Sequence, residues 1–307
     1  MFHLKRKPYD LRKGPIRKQW WIFLLPLMAA FTIGFVWPFI QGIYLSFCTF
    51  TTTSNAKLNG FMNDKAFFSN YVKAFNDPTF VRSFWYSALF AVVSLIIINV
   101  LAFTVAYFLT KELKGSNLFR TVFFMPNLIG GIVLGYIWSM IFDGILHIYG
   151  KTLVTEPVWG FWGLVIVVAW QQIGYMMIIY IAGLQAVPND MLEAAKIDGA
   201  SGWQTLWRVT IPNVMPSITI CTFLSLTNGF KLFDQNLALT NGLPKPFING
   251  VPVGQTEMIA LNIYNTFYTG NTSARGTAQA KAVLFFILVA GLGLIQLSAT
   301  RRKEVQQ

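Results

Sequence analysis

Six stretches of the chain carry no charged residue: 19–56, 83–110, 121–142, 158–189, 209–230 and 282–300. Each is strongly apolar and holds one helix across a bilayer core, which takes about 20 residues. The longer ones also include loop. No alternation of apolar and polar residues recurs along the chain, so the strand signature of a membrane barrel is missing. The pattern predicts an all-α membrane protein with six transmembrane helices. One membrane domain over residues 20–300 accounts for them, between a basic arm at 1–19 and a short tail at 301–307.

Punctuation refines these elements. Pro26 and Pro38 fall in the first stretch and Pro126 in the third, while Pro212 and Pro216 open the fifth. Each removes a backbone donor and tends to kink a helix. Such kinks are ordinary in membrane helices, and they also suit helices that line a cavity opening at each end in turn. Between the fifth and sixth stretches, Gly242, Pro244, Pro246, Gly250, Pro252 and Gly254 break any helix, after which 257–267 reads as a short one. The first stretch comes after a basic arm, as a secretory signal does. It is longer than a signal core and lacks a small-residue cleavage site, so it reads as a retained helix.

Composition agrees with this class. Charged residues make up 12% of the chain and apolar ones 54%, whereas soluble domains carry about 25% charge. The net charge of +12 then becomes a question of sidedness. The arm, the second-to-third and fourth-to-fifth connections and the tail hold 15 of the 24 Lys and Arg residues. By the positive-inside rule these segments and both termini face the cytoplasm. No basic run lies outside them, which argues against a nucleic-acid surface. Trp20, Trp21, Trp37, Trp85, Trp138, Trp159 and Trp162 fall near stretch ends, as interfacial anchors do. Cys48 and Cys221 are the only cysteines and have no metal or disulfide spacing.

The chemistry of energy coupling is missing. His3 and His147 lie outside the six stretches, and no Asp or Glu lies inside one; Asp143 and Asp234 sit just beyond their ends. A proton relay normally needs such residues within the membrane. A sodium site built from carbonyls and hydroxyls leaves an ion-coupled secondary carrier as the alternative. The run "GILHIYGKT" at 144–152 ends like a phosphate-binding loop, but five residues rather than four separate its first glycine from Gly-Lys. ATP, if used, is therefore bound by another chain, and no cofactor or metal is expected here.

One polar insert stands between the fourth and fifth stretches, over 189–210. Asn189 or Asp190 starts a helix, Asp190 and Glu193 pair as in a capping box, and Gly199 can take the left-handed turn that ends it. Ser201 and Gln204 repeat the capping logic for a second short helix running up to Pro212. Two capped helices and a tight turn predict a rigid knob, with Ala194 and Ala195 giving it a slim face. An amphipathic connector lying on headgroups is the other reading. Three acids against two bases suit an anionic leaflet poorly.

These residues carry a resemblance. Glu193-Ala194-Ala195, three residues, Gly199, nine residues, then Val209-x-Ile211-Pro212 resembles the EAA motif of ABC importer permeases. Asp198, Ala200 and Gln204 match the fuller form found in sugar importers. "FRTVFFMP" at 119–126, Trp138, "AGLQAVP" at 182–188 and "FKLFD" at 230–234 look like the multiple-sugar branch, specifically its first-type, maltose-importer-like subunit. The chain departs from that branch after the fifth stretch, where Asn241-Gly-Leu-Pro244 precedes an inserted "KPFINGVPVGQ".

The resemblance implies a permease for a sugar or oligosaccharide, without catalysis of its own. Glu193, Ala194, Ala195, Asp198 and Gly199 would then dock into an ATPase subunit. The implied partners are a second permease, an ATPase dimer and an extracytoplasmic solute-binding protein. Sugars are held by amides, hydroxyls and aromatic faces. Asn127, Trp170, Gln171, Tyr175, Asn228 and Gln235 are therefore candidate cavity residues, alongside Asn99 and Gln172. Hydrogen bonding between packed helices is their alternative role.

Overall fold

The structure is a computed structural model that describes residues 16–53, 55–60, 64–111, 115–248 and 250–301. The basic arm up to residue 15 and the tail from residue 302 lie outside the described residues. Six described helices are long and apolar enough to cross a membrane: Leu24–Ser46, Pro78–Leu109, Gly131–Tyr149, Pro157–Gln185, Gly202–Phe230 and Ala274–Thr300. They correspond one to one to the six charge-free stretches, with edges that differ for local reasons.

The first span is helical from Ile16, relaxes into a π turn at Thr32–Val36 between its two prolines, and ends at Ser46. Beyond Ser46, the described residues of that apolar stretch are not helix. Cys48–Phe50 pairs antiparallel with Ala56–Leu58 in a small hairpin. The second span starts at Pro78, earlier than expected, because Asp77 caps it: its carboxylate accepts from the Thr79 backbone N–H at 2.9 Å. Proline at the first helical position suits that start. The third span begins at Gly131 rather than near residue 121. Ser116–Phe124 is a separate helix, closed by a 3₁₀ turn at Met125–Leu128 that contains Pro126.

The fourth span is the centre of the bundle. In its most apolar window 61% of residues are buried in protein, against none in the first span. Phe90, Ile98, Ala102 and Ala106 of the second span pack with Leu164, Val168, Met176 and Tyr180 of the fourth. Glycines set the closest approaches. A Cβ on Gly229 would meet Ala91, one on Gly174 would run into the Phe123 carbonyl, and one on Gly183 would run into Ser217. Without a strong hydrophobic drive between helices in lipid, small residues that let backbones approach supply the packing. The spans are also knotted by one polar node. The Tyr180 hydroxyl donates to Asn99 Oδ1 at 2.6 Å, and Asn99 Nδ2 donates to Ser225 Oγ at 3.0 Å, joining the second, fourth and fifth spans.

Candidate functional site

The polar insert forms the expected knob, with two corrections. Its first helix is Asn189–Ile197, preceded by Pro188, and no side chain caps it, so the Asp190–Glu193 capping pair does not form. Its end is closed in full. Gly199 takes φ +75°, the Gly199 N–H donates to the Lys196 carbonyl and the Ala200 N–H to the Ala195 carbonyl, at 3.1 and 2.9 Å. Those two bonds are the Schellman closure, which needs a left-handed residue at the turn. The second capping box forms as expected: Ser201 N–H donates to Gln204 Oε1 at 2.8 Å and Gln204 N–H to Ser201 Oγ at 3.3 Å.

The second correction lies on the C-terminal side of that box. The short helix Gly202–Thr205 does not stop at Pro212 but continues through a π turn at Leu206–Thr210 into the helix Ile211–Phe230. The wider turn absorbs the donor that Pro212 lacks. The knob and the fifth span are thus one mechanical piece.

Of the five motif residues, Glu193, Ala194, Asp198 and Gly199 are exposed, whereas Ala195 is buried at 8% against its own chain. Leu192 packs beside the core on the same side. A hollow of about 620 Å³, walled by Tyr107, Lys111, Leu184, Leu192, Lys196 and Leu206, separates the knob from the second span. Asp190, Glu193 and Asp198 are exposed and have no ion-pair partner among the described residues. The knob therefore presents a stiff acidic face.

The six cavity candidates divide. Gln171 and Gln235 are each 8% exposed and bonded to one another at 2.5 Å, and Gln171 Nε2 also donates to the Ile129 carbonyl at 3.0 Å. They clamp the fourth span to the helix Asp234–Leu239, which lies on the third span through Gly131 and Gly135. Asn228 reaches Gln172 at 3.5 Å. Trp170 and Tyr175 are more open, at 42% and 38%, and Trp170 meets Trp138 edge-on at 5.4 Å. Asn127 is half-buried in the Pro126 turn. Asn99 belongs to the three-span node.

Sequence reasoning missed a buried polar cluster at the opposite end of the bundle. Its centre is Lys281, 0% exposed, paired with Asp77 at 2.6 Å. Burial works to raise the Asp77 pKa, but hydrogen bonds from Lys281 and Thr79 and the Lys281 charge outweigh it and hold the carboxyl below its ordinary range. Glu257, 5% exposed, accepts from Asn265 Nδ2 at 2.6 Å. The last charge-free stretch begins at residue 282 and so leaves Lys281 outside the expected sixth span. The helix in fact runs from Ala274.

Residues 112–303 match the family described as binding-protein-dependent transport system inner membrane component. The chain belongs to this family of ABC importer permeases. It is 41% identical over 296 residues to the probable starch degradation products transport system permease protein AmyD of Thermoanaerobacterium thermosulfurigenes, covering 94% of this chain and 95% of that one. It is 29% identical to the multiple sugar-binding transport system permease protein MsmF of Streptococcus mutans, covering 94% and 98%. Its fold matches a chain of a bacterial ABC transporter involved in the import of the acidic polysaccharide alginate, with TM-score 0.74 at 19% identity over 94% and 97% of the two chains. As a member of that family the permease is a multi-pass membrane protein and not itself an enzyme. Nothing in these likenesses supports an ion-coupled carrier.

Proposed function

We propose that this permease subunit carries a sugar or oligosaccharide into the cytoplasm, driven by ATP that a separate ATPase dimer binds and hydrolyses. A second permease completes the pathway and an extracytoplasmic binding protein delivers the solute. Both termini and the knob face the cytoplasm, in keeping with the lysine and arginine distribution. Glu193, Ala194, Asp198 and Gly199 form the docking face, and Ala195 shapes it from beneath. The observation that carries this reading is the continuity of the closed knob with the fifth span, which lets a push at the knob move a helix across the membrane. Trp170, Tyr175 and Asn127 supply aromatic and amide contacts to the solute. Gln171, Gln235, Gln172 and Asn228 set the wall behind them.

A photo-crosslinker at position 193 or 198 tests the docking role in membranes holding the whole transporter. The expected adduct is with the nucleotide-hydrolysing subunit. Uptake of labelled maltooligosaccharide that persists after deletion of that subunit would end this reading.

A further inference from the structure

Lys281 takes no part in docking or in the polar wall, yet its side chain is fully buried and fully hydrogen-bonded. An ammonium has three donors. All three are engaged: with Asp77 Oδ2 at 2.6 Å, Asn262 Oδ1 at 2.9 Å and Thr266 Oγ1 at 2.8 Å. The three acceptors come from two elements. Asp77 caps the second span, while Asn262 and Thr266 belong to the helix Ile259–Tyr268. Lys281 itself lies about two turns inside the sixth span. One side chain thus joins three elements from within.

Other bonds complete the unit. Asn262 Nδ2 donates to Thr79 Oγ1 at 3.1 Å, and the Ile259 N–H donates to Ser87 Oγ of the second span at 2.9 Å. The Met258 N–H donates to Asn236 Oδ1 at 3.0 Å, tying in the helix that comes after the fifth span. The helix so held carries an open aromatic face, with Tyr264 and Tyr268 at 4.7 Å and Phe233 5.2 Å from Tyr264. A buried ion pair is a poor source of net stability, because desolvation offsets its attraction and apolar residues of similar volume do as well. Its distinctive product is direction.

We propose that Lys281 is a positioning residue for transport. It locks the helix Ile259–Tyr268 to the ends of the second and sixth spans, so that this end of the bundle opens and closes as one plate. The transport part of this inference rests on the importer reading above; the mechanical part does not.

The test uses the complete transporter in lipid nanodiscs and proteoliposomes, with spin labels at Trp85→Cys and Tyr268→Cys, which are 67% and 66% exposed. With Lys281 intact the labels should give one narrow distance distribution. Lys281→Met should broaden it and lower maltooligosaccharide uptake at least tenfold, and Lys281→Arg should restore part of both. The decisive variant is Asp77→Asn/Lys281→Met, which removes both charges of the pair and leaves Glu257 held by the Asn265 and Asn262 amides. It should recover thermal stability towards that of the parent while staying broad and slow, because Asn262 and Thr266 have lost their common donor. A narrow distribution, or uptake within twofold of the parent, in that double variant overturns the proposal. So does its failure to assemble, which would assign the pair to folding. Loss of ATP dependence would sink the importer reading and leave the distance measurement standing.

Discussion

Gly199 shows how a single backbone angle serves the knob. At φ +75° an L side chain is strained by about 1–2 kcal/mol, although a Cβ there would meet nothing within 4 Å. Gly199→Ala should therefore leave insertion and global stability nearly intact and concentrate its strain on the Schellman closure. Gly202, which is helical and equally open, is the control: Gly202→Ala should be neutral. The expected outcome is uptake several-fold lower for Gly199→Ala only. Gly199→Asp, which adds a fourth acid to the proposed docking face, should abolish uptake while the protein still inserts. Normal uptake by Gly199→Asp would count against the docking role. Gly199 was legible because a short run of helix formers followed by glycine is a local signal. Ala195 was not, since which face of a nine-residue helix turns inward depends on its neighbours, and here Leu192 and Ala195 turn in together.

Among the elements, span edges were the least legible feature, and each miss has a physical cause. Hydropathy follows side chains, whereas helices begin where backbone donors find caps. Asp77-Pro78 moved the start of the second span outward, and Pro126 split the third stretch in two. Charge marks where a helix meets water only if the charge is solvated. Lys281 is neutralised inside, so its helix extends past it. Helix contacts were illegible for another reason: a glycine in an apolar run does not announce which backbone lies against it. Gly174 faces the Phe123 carbonyl, so Gly174→Ala forces the helix Ser116–Phe124 away from the fourth span. Overpacking of this kind costs about 1–3 kcal/mol. A lowered thermal midpoint in purified transporter should report it, and an unchanged midpoint would show that the short helix yields freely.

Across the whole molecule the stiff parts are unevenly distributed, and that arrangement bears on mechanism. At one end the knob is closed by a Schellman turn and a capping box. In the middle, Asn99, Tyr180 and Ser225 knot three spans. At the other end Lys281 and its partners bind two spans and a short helix. Between the knob and the knot lies the least regular stretch of the fifth span, the π turn at Leu206–Thr210 with Pro212 and Pro216 just beyond it. A push on the knob must cross this stretch before it reaches the pathway. If the knob docks the ATPase as proposed, this stretch is where stiffness decides how much of each ATP cycle becomes movement of solute. Glycine in a helix costs about 0.5–1 kcal/mol per residue in lost backbone order. Leu206→Gly with Val209→Gly should soften the link without touching the proposed docking face or the polar wall. The expected result is ATP hydrolysis close to the parent rate, with several-fold fewer sugars imported per ATP. Measuring both rates on the same proteoliposomes checks it. A fall in hydrolysis and uptake by the same factor would place the compliance elsewhere and make the π turn a passive accommodation of Pro212.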